Sequence, residues 1–360
     1  MVDERLRRCR TLLATQGVAA VLVTDAADVR YLSGFRGEDA TLVIGAQEAL
    51  ICTDARFWEQ VRAEVTGFTL SAVSGTDLVT HSAAAVADLE GATAALGFQG
   101  ADVSYADYRK LRRLHRGRLR DLRAGVTRLR AVKDEGEVAR LRRAATVSDA
   151  AMAATVAAGL VGRRERDVAW QLRAEYQRLG AEGEAFAAIV AAGDHGAQAH
   201  ALPGHRVIAA GELVVVDTGA RVDGYCSDIT RTFAAGAVSS ELRRVYDVVL
   251  AAQLAGLAAV RAGAHGRDDV DAAARAVIAA AGYADQFGHG TGHGVGLEVH
   301  EAPWLGRTRG DRLEAGMICT VEPGIYVDGL AGVRIEDTVL VGEDGGEPLT
   351  RYPKDLQVVG

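Results

Sequence analysis

The chain has 360 residues, with 48 acidic against 41 basic side chains and a net charge of −7, and 49% of it is hydrophobic. That length favours two domains, and the apolar content is enough to fill a core in each, which excludes a disordered chain. Four scattered cysteines exclude a disulfide scaffold and fit a reducing compartment, and no run of about 18 apolar residues could cross a membrane. The charged start MVDERLRR has no apolar stretch behind it, so a soluble, cytoplasmic protein is expected.

The first third reads as a small α/β unit. Leu6, Leu12 and Leu13 give Asp3–Gln16 a helical stripe that Gly17 stops. VAAVLVT (residues 18–24), Leu42–Ile44 and Ala49–Cys52 have the length and composition of buried strands, and helices are expected over Ala55–Val65 and Asp77–Leu89. Between Arg109 and Arg130 stand ten Arg or Lys against one acid, Asp121. With no aromatic platform beside it and an acidic chain around it, this run reads as a solvated face or domain seam, not a nucleic-acid surface. A long amphipathic helix follows over Lys133–Ala158, with Val138, Leu141, Ala145, Val147 and Met152 as its stripe. The border is placed just before it, giving domains 1–127 and 128–360. Beyond it come a helix at Glu165–Leu179, strands at Glu212–Gly219 and Tyr225–Phe233, and helices at Glu241–Ala262 and Asp268–Ala281. Strand-like runs at Ile318–Val321, Gly332–Leu340 and Gln357–Val359 close the chain. Two helix-rich stretches, each beside paired strands, suggest an α+β domain of two similar halves.

Carboxylates interrupt those apolar strands. In VVVDTGARVDGYCSDITRTF, a hairpin centred between Val222 and Asp223 sets Asp217 opposite Asp228. Two bare carboxylates there would repel, so a cation between them is expected unless Asp228 simply pairs with Arg231 or Arg221. A second hairpin centred on Gly329 sets Glu322 of CTVEPGIY opposite Glu336 of GVRIEDTVLV. In GHGTGHGVGLEVHE, glycine fills every second position from 288 to 296. An extended chain would then present His289, Thr291 and His293 on one face and bare backbone on the other. Neither a dinucleotide fingerprint nor H-E-x-x-H is present. Four carboxylates and an imidazole suit two ions of the Mn²⁺, Co²⁺ or Fe²⁺ kind, which could activate water against a carbonyl.

These stretches, together with EAP, the linker RLRAVKDEGEVARLRRA and YLSGFRG near the start, resemble the Xaa-Pro peptidases. These are prolidase and aminopeptidase P, of the dinuclear "pita-bread" metallopeptidase family. The resemblance implies a C-terminal pita-bread (creatinase/aminopeptidase-like) domain behind a smaller N-terminal creatinase-like α/β domain. It implies Asp217, Asp228, His293, Glu322 and Glu336 as ligands of two divalent ions, Mn²⁺ first, with Co²⁺, Fe²⁺ or Zn²⁺ as alternatives. Glu322, His300 and His289 are the implied catalytic residues. His200 and Arg334 are the implied substrate contacts, with His205 competing for the place of His200 because HALPGH scrambles the usual order.

The implied reaction is hydrolysis of Xaa-Pro dipeptides by a metal-bridging hydroxide, with Glu322 carrying the proton to the leaving nitrogen. The alternative is an aminopeptidase P acting on longer peptides that begin Xaa-Pro, and a remote one is a non-catalytic peptide-binding module. Arg36, in GFRGED, is the candidate to pair with a dipeptide's free carboxylate. The resemblance further implies a homodimer acting on small peptides with proline second, with no nucleic-acid or membrane partner. Intact ligands separate the chain from creatinase, and the N-terminal domain separates it from methionine aminopeptidase.

Overall fold

The computed structural model describes residues 2–122 and 125–360, and the chain divides into two compact units, Met1–Arg130 and Ala131–Gly360. Both mix helices with sheets, as expected of an α+β protein.

The N-terminal unit runs α1 (Val2–Gln16), β1 (Ala20–Val23), α2 (Ala26–Ser33), β2 (Thr41–Ile44), β3 (Ala49–Thr53), α3 (Trp58–Glu64), β4 (Thr69–Ala72), α4 (Leu78–Glu90), β5 (Leu96–Phe98), α5 (Tyr105–Leu114) and β6 (Leu119–Asp121). One sheet takes the order β4-β3-β2-β1-β5-β6, with β2 antiparallel to both neighbours and the other pairs parallel. The three apolar runs form its centre, where strands covered on both faces carry continuous apolar sequence. Leu22, Val43, Val86, Leu96 and Leu111 meet in the core beneath. Strands β4 and β6 gave no apolar signal because none of their residues is buried; they are the sheet's edges. Within the basic run, Lys110 pairs with Asp77 and Asp107, while Arg130 is buried against Asp28 at 3.0 Å. Its Arg123 lies outside the described residues.

The second unit begins with α6 (Glu135–Ala157), capped by Asp134 and Glu137, whose side chains each accept the other residue's backbone N–H. There follow α7 (Glu165–Arg178), β7 (Gly183–Glu184), β8 (Ile189–Ala192), β9 (Glu212–Thr218), β10 (Ala220–Val222), β11 (Tyr225–Cys226), β12 (Ile229–Ala235), α8 (Ser240–Ala259) and α9 (Ala272–Ala280). The remainder is β13 (Gly292–Gly294), β14 (Glu301–Leu305), β15 (Ile318–Val321), β16 (Gly324–Val327), β17 (Ala331–Arg334), β18 (Asp337–Val341), β19 (Gly346–Pro348) and β20 (Val358–Val359).

Two sheets, β20-β12-β9-β8 and β14-β13-β15-β18-β19, each lie against a helix pair. Met152 of α6 and Leu172 of α7 pack on Val214, Val216, Ile229 and Phe233. Val249 of α8 and Ile278 of α9 pack on Ile325 and Val333 of the separate β16–β17 pair, while Val260, just after α8, and Val270, just before α9, pack on Val321 and Val339 of the second sheet. Each such buried side chain contributes about 1.5–3 kcal/mol, so these faces hold the sheets in place. The buried stripe of α6 differs from the apolar one: Val138 and Val147 are only half-buried, while Ser148 and Thr155 lie inside. Ser148 is tolerated there because it bonds Ser227 at 2.6 Å and accepts from the Ala220 N–H. Among the described residues no helix is long and apolar enough to cross a membrane.

Strand register differs from expectation in one hairpin and matches in the other. Asp223 and Gly224, at φ 49° and 79°, make a two-residue turn, so Val222 faces Tyr225 and Asp217 faces Thr230, not Asp228. The slip is two residues, which preserves the alternation and leaves both aspartates on one face. In the other hairpin Val327 faces Ala331 around Gly329 (φ 71°), Gly324 faces Arg334 and Val321 faces Asp337. Glu322 and Glu336 occupy the gap between these paired segments, in the expected register. The predicted strand Gly332–Leu340 is therefore two strands, interrupted where Glu336 leaves the ladder.

Candidate metal centre

The two hairpins and the glycine-rich segment deliver five side chains to one cavity of about 820 Å³. Asp217 ends the apolar part of β9, Asp228 precedes β12, His293 is the centre of β13, and Glu322 and Glu336 sit in the gap just described. Asp217, Asp228, His293 and Glu336 are all less than a tenth exposed. One ligand atom each from Asp228, His293 and Glu336 lies within 4.8 Å of the others. His293 Nε2 is 3.1 Å from Glu322 Oε1 and 3.7 Å from Asp228 Oδ2. Its Nδ1 lies 3.1 Å from the Gly294 carbonyl, which assigns the proton to Nδ1 and turns Nε2 towards the carboxylates.

Glycine is required beside His293. A Cβ on Gly292 would lie 2.0 Å from the Thr320 carbonyl oxygen, and one on Gly294 would lie 2.1 Å from that of Ala302. The bare backbone thus lets β13 press against its neighbours, as the glycine alternation suggested. His289 and His293 line the cavity, but Thr291 does not; its hydroxyl and N–H donate to buried Asp271.

The polypeptide under-supplies positive charge here. Burial, then Glu336, Asp217 and Glu322, holds Asp228 well above the usual carboxylate range. Burial, then Glu322 and Asp217, does the same to Glu336. Asp217 is raised as well, its burial outweighing the adjacent Arg334. Burial pushes Glu322 upward too, yet the hydrogen bond and charge of His293 bring it down to about 2. In return His293 is raised, Glu322 overcoming the effect of burial. Asp217 Oδ1 is buried with no hydrogen-bond partner among the described residues. A buried cluster in which three of four carboxyls are pushed above their usual range, with an unpaired oxygen among them, has the chemistry of a divalent-ion site. The residues present fit the pair of ions the donor set calls for.

Arg334 is the cation the protein provides. Buried beneath the cluster, it donates to Asp217 Oδ2 at 2.5 Å, to Tyr326 Oη at 2.7 Å, to Thr230 Oγ1 at 3.2 Å and to the Ala199 carbonyl at 3.2 Å. Tyr326 Oη is in turn 2.9 Å from His289 Nε2, and His289 Nδ1 is 2.8 Å from the Gly290 carbonyl. Donors and acceptors balance one way: Arg334 to Tyr326, Tyr326 to His289, His289 to the carbonyl. Both nitrogens of His289 are therefore engaged with protein, and burial lowers its pKa. Tyr326 went unnoticed in the sequence, although it stands four residues after Glu322 in the same motif. Thr230, which donates to Glu336 Oε2 at 2.7 Å, and Thr320, which donates to Glu322 Oε1 at 3.1 Å, also escaped notice.

His200 and His300 are exposed and line the cavity, and neither has a side-chain hydrogen bond among the described residues. The His300 ring centroid lies 4.3 Å from that of His293; partial desolvation on the side facing the protein, then His293, lowers its pKa. His205 lies 3.0 Å from Arg166 Nη1 and does not line the cavity. Asp228 pairs with neither nearby arginine: Arg231 holds Asp337 at 2.8 Å, and Arg221 reaches towards the Ala185 carbonyl. Arg36, in the N-terminal unit, is held by Glu64 at 2.9 Å with its side chain largely exposed. The cavity's outer wall combines Phe186, Leu202, Val299 and Trp304 with Arg307 and Arg309. Arg309 lies over the Trp304 ring at 4.6 Å, and neither arginine has an ion pair among the described residues.

The sequence pattern of metallopeptidase family M24 matches residues 139–343, and that of the creatinase/prolidase N-terminal domain matches residues 5–132. The uncharacterized peptidase YqhT of Bacillus subtilis is 37% identical over 99% of this chain and 100% of its own. Among solved structures, the Xaa-Pro dipeptidase from Bacillus anthracis matches with a TM-score of 0.96 and 36% identity over all of both chains. The X-Pro aminopeptidase from Thermotoga maritima matches at 0.87 and 35% over 95% of this chain and 98% of its own. The prolidase from Pyrococcus horikoshii OT3 matches at 0.92 and 30% over 98% and 99%.

Proposed function

The chain belongs to metallopeptidase family M24, and from that premise we propose that it is an Xaa-Pro dipeptidase, hydrolysing the bond before proline. The observation that carries the reading is the convergence of Asp217, Asp228, His293, Glu322 and Glu336 in one cavity with too little positive charge to balance them. The full-length likeness to the Bacillus anthracis dipeptidase supports it. Two divalent ions, Mn²⁺ first, would be the cofactor, and those five side chains would hold them. When bound, they polarise the scissile carbonyl and activate a water molecule.

The remaining work falls to side chains. Glu322 accepts the proton of the attacking water at a carboxylate oxygen and passes it to the proline nitrogen. That nitrogen belongs to a tertiary amide with no N–H, so it leaves only once protonated. Exposed His300 and His200, uncommitted to other protein groups, donate hydrogen bonds to the developing oxyanion and to the substrate. His289, with both nitrogens engaged, orients Tyr326, which accepts from Arg334, and Arg334 in turn holds Asp217. Arg307 and Arg309 are candidates beside Arg36 to receive the free carboxylate of a dipeptide. A homodimer working in the cytoplasm completes the reading.

Proline release from Ala-Pro and Ala-Pro-Ala, using chelator-stripped protein with and without Mn²⁺, tests it. Metal-restored cleavage of the dipeptide alone is the expected result. Cleavage mainly of the tripeptide's first bond would make it an aminopeptidase P, the reading favoured by the Thermotoga maritima likeness. No cleavage under any metal would overturn both readings and leave a peptide-binding module.

A further inference from the structure

We infer that Lys133 is a positioning residue for His300; the inference rests on the role given to His300 above. Lys133 lies between the two family matches, which end at 132 and resume at 139. Its backbone is fixed at the edge of the strand that leads to Glu322: its N–H donates to the Gly316 carbonyl at 2.9 Å, and Val132 bridges to Met317. The next residue, Asp134, caps α6, so the main chain around Lys133 is held from both sides. From there Nζ reaches Glu301 Oε1 at 2.7 Å, with both side chains no more than 2% exposed.

Glu301 is the residue after His300. Its other carboxylate oxygen accepts from the Glu298 N–H at 3.4 Å, and its carboxylate packs against Gly296, where a Cβ would lie 2.3 Å from Oε1. The turn from Gly296 to Glu301 is therefore folded around this carboxylate. His300, having no hydrogen bond of its own among the described residues, takes its place from that turn's backbone. A buried ion pair is a poor source of stability, since apolar side chains of similar volume usually do as well. What it supplies here is a fixed distance between the strand leading to Glu322 and the turn bearing His300.

The test is a mutant cycle on Ala-Pro turnover with metal-loaded enzyme: Lys133→Met, the charge-neutral Lys133→Met/Glu301→Gln, and each again in a His300→Gln background. The double variant leaves no buried charge unpaired and carries the test if Lys133→Met alone does not fold. Misplacement of His300 predicts that kcat falls about 10- to 100-fold, with KM and metal content nearly unchanged. In the His300→Gln background the same changes should cost kcat nothing further. Equal losses in both backgrounds, a loss confined to KM or metal content, or native kcat in the double variant would overturn the inference and leave the proposed function standing. Full turnover by His300→Gln alone would remove the role of His300, and with it this inference.

Discussion

Replacing Arg334 with methionine tests the electrostatic account of the centre. The change keeps most of the side-chain volume and removes the guanidinium that donates to Asp217 Oδ2 at 2.5 Å. Asp217 would then be buried without its cation, and removing one partner of such a pair costs about 3–5 kcal/mol. Protonation sets a ceiling. A carboxyl of ordinary pKa 3.8 takes up a proton at pH 7.5 at a cost of about 5 kcal/mol, falling to about 2 kcal/mol at pH 5. The sign follows: the variant's folded state binds a proton that the unfolded state has lost, so its stability declines as pH rises above the ordinary value. For a unit of this size each kcal/mol moves Tm by about 2–4 °C, so metal-free Arg334→Met should melt about 6–20 °C below the parent at pH 7.5. That gap should narrow towards pH 5, and also with saturating Mn²⁺, because the ions supply the missing positive charge. Differential scanning calorimetry at both pH values, with and without metal, reads all three effects. A metal-free deficit below about 1 kcal/mol, or one independent of pH, would refute the reasoning.

Other consequences follow from the same structure. Arg309→Ala should lower kcat/KM for Ala-Pro about 10-fold or more while sparing Ala-Pro-Ala, the signature of a lost charge-assisted contact to a dipeptide carboxylate; Arg36→Ala, assayed beside it, assigns that role to one arginine or the other. Because burial and the neighbouring carboxylates hold Asp228 and Glu336 well above the usual carboxylate range when metal-free, metal binding should release protons, and affinity should climb with pH. Isothermal titration in buffers of different ionisation enthalpy counts those protons; zero would contradict the carboxylate assignment. In the N-terminal unit, burial raises Asp28 to about 6 despite Arg130. An acid raised on folding stabilises least when ionised, so this unit should lose up to about 3 kcal/mol between pH 4 and pH 7. Urea unfolding followed at Trp58, in a Trp170→Phe/Trp304→Phe background, should show this loss, and Asp28→Asn should abolish its pH dependence.

Local rules carried well where the determinant was itself local. The Gly329 turn specified the register of its hairpin, so Glu322 and Glu336 could be paired from spacing alone. In the other hairpin the polar stretch from Gly219 to Gly224 offered two turn centres, and the Asp223–Gly224 turn prevailed because it matches strand twist. Even so, the two-residue offset kept Asp217 and Asp228 on one face. Strands β4 and β6 were missed because edge strands bury too little to show a pattern.

The order of residues therefore determined by itself which side chains share a strand face, since alternation and turn length are properties of a few adjacent residues. It also determined that four acids would interrupt apolar strands. Only the tertiary structure decided which of them meet. Arg334 contacts Asp217 across 117 positions of chain, and Lys133 reaches Glu301 across 168. No local propensity encodes such a meeting. It is fixed when α6, α7, α8 and α9 pack on their sheets, because the buried apolar faces offset the closure entropy of those long loops.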